Sequence, residues 1–492
     1  MKREILRMER VTYREQGVTQ LENFNFAVMA GEIVGLVPIN HVGLAAFLRL
    51  LRQNLPLHYG YVYYQEKLVN HWRFPTMKYN RISVIQNRSC LAEGLTVADN
   101  VFVLRQGFKK RIVEPEVLRR QLAPFLEEIG VDISADSHVD ELSAFERLVV
   151  ELLKAVVAGN KLVVMDDIGT FVSERELKKL HEIMRRYAAK GMAFLYIASH
   201  FEDAWQICGR TATMMNGQLV KDYQAEDPVP RTFFFRCTEE FDRKVREKID
   251  RNGPETETGP VFEARGIRIG ETGPLDIRVR AGECLVLQAM DNASYQDLAD
   301  WVTGAAAPAA GTCLAAGKPV HLPKDRRVGV IRELPAETMV FSNMSYLDNL
   351  CFNLDHRFPD VWLRGRVKRS VSREYAGLLG PEVFWKRVEA LTETEKYDLV
   401  YARVLLQNPQ AVFCIQPFKG ADVALRLRIW EHLEQFLDRG MAVVILAVNL
   451  ADSLALANRL LRVRRGREPV EYSRAEFGKL PLNTPWRHLY ED

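Results

Sequence analysis

Positions 249 residues apart in this chain match one another, and that regularity limits the possible folds more than any other feature. Asn100 corresponds to Asn349, Leu142-Ser143 to Leu391-Thr392, the apolar run 162–165 to 411–414, and Arg210 to Arg459. Ala30-Gly31-Glu32 matches Ala281-Gly282-Glu283 at a step of 251. Several independent matches within two residues of one offset predict a tandem duplication. The copies are expected at 1–225 and 260–492, with a linker over 226–259. In that linker Asp227-Pro228-Val229-Pro230 breaks structure, 238–250 suits a short charged helix capped by Thr238, and Asn252-Gly253-Pro254 turns the chain.

Each copy alternates short apolar runs with helical patterns. In the first, 31–37 reads as a buried strand followed by a helix over 44–51, and the runs 161–165 and 194–197 are flanked by helices at 146–157 and 174–189. The second repeats the order with runs at 283–288, 411–415 and 442–448. Such alternation predicts an α/β layer architecture with a largely parallel sheet.

With 67 basic and 64 acidic residues the net charge is +3, too even for broad attraction to nucleic acid or an anionic membrane. No nucleic-acid partner is expected, and any charge-driven partner has to act locally. Seven scattered cysteines, with no CxxC or Cys/His cluster, read as reduced, packed thiols. The opening Met1-Lys2-Arg3-Glu4 lacks the apolar core of a secretion signal, and no run reaches the ~20 apolar residues of a membrane span. A cytoplasmic protein is expected, peripheral at the inner face of the cell membrane through a partner.

The order of the strand and loop at 35–46, then Val84-Ile85-Gln86-Asn87, Leu142-Ser143-Ala144-Phe145-Glu146, Val163-Val164-Met165-Asp166-Asp167 and Ser199-His200, resembles the ATP-binding cassette of ABC transporters. The tandem layout, with Leu95-Thr96-Val97-Ala98-Asp99-Asn100-Val101-Phe102 and Gly317-Lys318-Pro319-Val320, is similar to the double-cassette ATPase subunit of ribose/galactose-type sugar importers. This resemblance implies two P-loop NTPase-like domains, each with a mostly parallel core sheet, an antiparallel β subdomain and a helical subdomain. It also implies that the two halves pack together, that ATP and magnesium are the cofactors, and that a membrane permease is the partner.

In that family a GxxxxGK[ST] loop cradles phosphate through backbone amides, while Lys pairs with the outer phosphates and Ser/Thr holds magnesium. Here the stretch runs from Pro38 to Ala46, and only Asn40 and Gly43 match. Pro38 stands where a glycine turns the loop, Leu44 where the lysine stands, and Ala45 where the hydroxyl stands. A hydrogen bond to a charged group contributes about 1.5–3 kcal/mol, so the missing lysine alone weakens ATP binding ~100-fold or more. The second copy retains Asn292 and Ser294 as remnants, with Tyr295 at the lysine position, Gln296 at the hydroxyl position and Asp291 as an added carboxylate. ATP and magnesium are therefore expected at the first half alone, and weakly.

The resemblance places a magnesium ligand at Asp166 and the water-activating base at Asp167, one methylene shorter than the family's glutamate. A solvated strand end or helix cap is the competing reading of this pair. The second copy has Ile415 and Gln416 there, neither of them a carboxylate. The switch histidine corresponds to His200 if one residue is deleted after it, and to Ser199 if the alignment runs without gaps. Ser143 and Thr392 are what is left of the two signature motifs, or simply helix caps; Phe145, Glu393 and Glu395 beside them would crowd or repel a phosphate. Tyr13 holds the adenine-stacking position, and Asn87, preceded by Gln86, replaces the family's coupling glutamine. Two functions follow as expectations: a sugar-importer ATPase subunit whose ATP binding and hydrolysis are weak or lost, and a pseudo-ATPase that binds a regulatory protein partner through the cassette fold without driving transport.

Overall fold

The computed structural model of the chain describes residues 3–15, 17–86, 89–103, 114–224, 243, 259–357, 365–450 and 452–480. The chain divides into two compact units, Met1–Cys237 and Thr238–Asp492. Apart from 243 and 259, the expected linker lies outside the described residues, and so do its predicted helix and turns.

The first unit begins with the antiparallel strands β1 (Glu4–Glu15) and β2 (Val18–Met29), followed by β3 (Ile33–Pro38). β4 (Tyr59–Tyr64) and β5 (Lys67–His71) complete a four-stranded sheet ordered β2-β1-β4-β5. The second sheet takes β3 together with β6 (Ile82–Ile85), β7 (Leu162–Asp166), β8 (Ala193–Ile197), β9 (Arg210–Met215) and β10 (Gln218–Gln224). Its order is β10-β9-β3-β8-β7-β6, parallel except for the β9–β10 hairpin.

All six residues of β3 are buried, as a strand covered on both faces must be. Period-two alternation assigns them to two cores. Val34 and Leu36 pack with the antiparallel sheet and the helix Leu44–Arg52, while Ile33 and Val37 pack with the helices Pro115–Ile129 and Ala144–Val157. Phe47 of the first of these helices sits 5.1 Å from Phe24 and 5.8 Å from Phe26, measured between ring centroids, and fixes it against β2.

The second unit has the same architecture. β11 (Phe262–Ile269), β12 (Thr272–Val279), β14 (Ala310–Ala315) and β15 (Lys318–Pro319) form the antiparallel sheet in the order β12-β11-β14-β15. β13 (Cys284–Ala289), β16 (Val328–Ile331), β17 (Ala411–Ile415), β18 (Ala442–Ala447), β19 (Arg459–Val463) and β20 (Val470–Ser473) form the other, ordered β16-β17-β18-β13-β19-β20. This is the first unit's order read from the opposite edge. The α/β class and the paired sheets agree with the sequence expectation, and no helix among the described residues is long and apolar enough to cross a membrane.

The matched residues of the two copies make matched bonds. Arg210 Nε donates to Glu32 at 2.7 Å and its Nη1 to Asp222 at 2.6 Å, while Arg459 does the same to Glu283 at 2.5 Å and Glu471 at 2.6 Å. The Asn100 side chain clamps both backbone groups of Ala92, and Asn349 clamps those of Phe341. The correspondences at a step of 249 are therefore scaffold bonds.

Candidate nucleotide site

The loop between β3 and the helix Leu44–Arg52 is held largely by its own polar groups. Asn40 Nδ2 donates to Asn216 Oδ1 at 2.8 Å, and Asn40 Oδ1 accepts from the backbone amides of Asn216 (3.1 Å) and Val42 (3.3 Å). The Leu44 amide donates to the His41 carbonyl at 3.1 Å. Gly43 has φ +80°, and a Cβ there would lie 2.2 Å from the Gln20 carbonyl oxygen and 3.0 Å from Gly217 Cα. The glycine is thus accounted for by packing against β2 and the β9–β10 turn. Leu44 is half-buried and packs against the core beneath β1 and β2, while Ala45 is exposed. Tyr13 lies in that same core at 8% exposure.

Across the parallel sheet, β7 ends on Asp166 and the chain turns at Asp167, which has φ +52°. Gln86 Nε2 donates to Asp166 Oδ2 at 2.6 Å, and Gln86 Oε1 accepts from Arg52 at 3.4 Å. Burial pushes the Asp166 carboxyl above the usual carboxylate range, opposed by the Gln86 bond, and the neighbouring Asp167 pushes it the same way. Asp167 Oδ1 accepts from the Ser199 hydroxyl at 2.7 Å and the Ser199 amide at 3.3 Å. Ser199 thus bonds the Asp167 carboxylate through both its hydroxyl and its amide. His200 is 8% exposed and stands at the start of the helix Phe201–Trp205, without a side-chain cap bond to it. Asn87 lies outside the described residues, and Gln86 is the strand-end amide that reaches Asp166. The sequence reading named Gln86 only as the residue before Asn87, although its place directly after an apolar run was the available signal.

Both signature remnants are helix caps. Ser143 forms a capping box with Glu146 at the start of Ala144–Val157, and Thr392 forms one with Glu395 at the start of Glu393–Gln407. Glu395 also pairs with Lys386. Phe145, expected to crowd a phosphate, is instead buried at 6% in the helical core.

In the second unit Asp291 caps the helix Asn292–Thr303, accepting from the amide and hydroxyl of Ser294 at 2.8 and 2.9 Å and from the Arg465 amide at 3.3 Å. Ser294 is fully buried, Tyr295 packs against the core, and Gln296 bonds Asp300 one helical turn on at 2.9 Å. Both side-chain polar atoms of Asn292 are buried without a partner. At the other strand end Gln416 keeps the left-handed turn of Asp167, with φ +43°. Its amide bonds Glu333 at 3.2 Å, and Lys419 meets the same carboxylate at 2.6 Å. The sequence reading missed Glu333 and Lys419, which come together only through the parallel pairing of β16 with β17. Among the described residues no three His, Cys, Asp or Glu side chains gather as a metal site. A cleft of about 1280 Å³ does lie in this unit, away from the loop, lined among others by Arg332, Phe341, Phe352, Lys368 and Arg403.

Residues 21–169 match the family model described as ABC transporter. The chain is 25% identical over 484 residues to the ribose import ATP-binding protein RbsA 1 of Rubrobacter xylanophilus, covering 94% of each chain. It is 24% identical over 484 residues to the arabinose import ATP-binding protein AraG of Azospirillum brasilense, covering 96% of this chain and 92% of that one. It is 23% identical over 474 residues to RbsA of Geobacillus kaustophilus, covering 91% and 92%. The first unit accordingly carries an ABC transporter domain, the second unit repeats its architecture, and the chain is similar along nearly its whole length to the ATP-binding proteins of ribose and arabinose import.

Proposed function

We propose that this chain is the cassette subunit of a sugar-import system, peripheral at the cytoplasmic face of the membrane through a permease, in which ATP binding is weak and hydrolysis is lost or nearly so. The family relation implies ATP and magnesium, but the residues present do not fit a magnesium triphosphate. There is no ammonium at Leu44 and no hydroxyl at Ala45. Asp166, the remaining candidate ligand for the cation, has one carboxylate oxygen taken by the Gln86 amide at 2.6 Å. The observation that carries the reading is Leu44: its side chain faces the core and its amide is occupied by the His41 carbonyl, so neither is directed at a phosphate.

A titration calorimetry experiment on the full chain with MgATP tests this. The expected Kd is about 1 mM or weaker and unchanged by Asp166→Asn. A micromolar Kd lost on that substitution contradicts the proposal.

The second reading, a pseudo-ATPase scaffold that binds a regulatory partner, is favoured by the strand end of the second unit, where Glu333 is shared by Lys419 and Gln416. Co-purification from membranes with a permease encoded beside this chain separates the two. Its presence supports the transport assembly even without turnover, and its absence supports the scaffold.

A further inference from the structure

The exposed large apolar side chains of this chain are unevenly distributed. Tyr59, Leu68, Trp72, Phe74, Met77 and Tyr79 all belong to β4, β5 and the turn after β5, with Phe74 71% and Tyr79 76% exposed. The second unit builds the same element from β14, β15 and residues 320–327, and among its described residues no large apolar side chain there is exposed. The duplication thus supplies an internal control: the fold does not require this patch.

The patch is ordered. The Trp72 ring lies 5.8 Å from Tyr59, His71 stacks on Tyr61 at 6.4 Å and meets Phe74 edge-on at 5.5 Å. The turn is pinned from beneath, where the Thr76 hydroxyl donates to the Val69 carbonyl at 2.8 Å and Asn54 bonds the backbone of Met77 and Lys78 at 3.2 and 3.0 Å. Around it stand Lys67, Arg73, Lys78 and Arg81, all exposed, and none forms an ion pair among the described residues. Arg73 rests over the Trp72 ring at 4.8 Å. The nearby Glu66 faces Arg3 at 3.6 Å.

We propose that this face of the first unit docks an acidic segment of a partner protein bearing apolar side chains. Scattered exposed apolar residues are ordinary, but a contiguous patch marks an interaction site. Tyr, Trp, Phe, Met and Arg are the residue types enriched in interface cores, and a fixed backbone lowers the ordering cost of binding. The uncompensated cations select carboxylates. A nucleic-acid strand fits less well, because Leu68 and Met77 offer bases no stacking surface.

The probe is a short fluorescein-labelled peptide alternating Glu with Leu and Phe, titrated into the full chain and followed by anisotropy at low salt. Binding is expected, weakened at least about tenfold by the double substitution Trp72→Ala/Phe74→Ala and by Arg73→Glu/Lys78→Glu, and weakened by about 0.5 M salt. Trp385→Ala, at a residue 89% exposed on the second unit, is expected to change nothing. No binding, equal binding by the variants, or equal binding of a peptide with Lys in place of Glu overturns the proposal. So does tighter binding of oligouridylate, which would assign the surface to single-stranded nucleic acid.

Discussion

At Gly43 a methyl group would have to share space with the Gln20 carbonyl oxygen 2.2 Å away, on a backbone at φ +80° that disfavours side chains. Gly43→Ala is therefore expected to destabilise the first unit by about 2–4 kcal/mol, read as a lowered denaturation midpoint with or without nucleotide. The residue is required as a spacer, whatever becomes of the phosphate. His181 gives a pH signature in the same unit. It is 3% exposed beneath Tyr196, and burial, with Arg185 adding to it, lowers its pKa to about 4. The unfolded imidazole takes up its proton near 6.5 while the folded one resists until about 4, so stability is fully present above pH 6.5 and falls between those values. The loss due to this group is about 3 kcal/mol. His181→Phe is expected to flatten that part of the stability profile in denaturant titrations from pH 7 to 4. Residue identity made the missing lysine and hydroxyl legible in the sequence. It did not reveal that Asn40 is tied to Asn216, 176 residues away, because that bond depends on β9 lying beside β3.

Among the elements, the helix starts at Ser143 and Thr392 show what the duplication kept. Each has lost the glycines that would let a phosphate approach, and each closes a capping box on a glutamate three residues on. Ser143→Ala and Thr392→Ala should each cost about 1 kcal/mol in denaturation experiments and leave nucleotide binding unchanged. A drop in MgATP affinity in either variant would return these segments to the site. The strands were the most legible elements, because the apolar runs 31–37 and 411–415 have both faces covered and need no periodicity to be recognised. The antiparallel sheets were less so. β14 and β15 read AGTCLA and KP, sequences that become strands through pairing, β14 with β11 and β15 with β14, rather than through propensity. The same holds for Gln86, whose contact with Asp166 needs β6 and β7 side by side.

For the whole molecule, the step of 249 carried the reading, since it foretold two units of one architecture before any strand was assigned. The copies share the Arg210/Arg459 and Asn100/Asn349 bonds, which hold sheets and helices together. They diverge at the loops that would meet a nucleotide, where Leu44 stands in one and Tyr295 in the other. The proposed loss of hydrolysis accounts for both observations, a conserved scaffold and divergent loops. The most direct test is phosphate release by the purified full chain with MgATP. This account predicts a rate no faster than background and the same rate for Asp167→Asn; turnover well above background that disappears in that variant would contradict it.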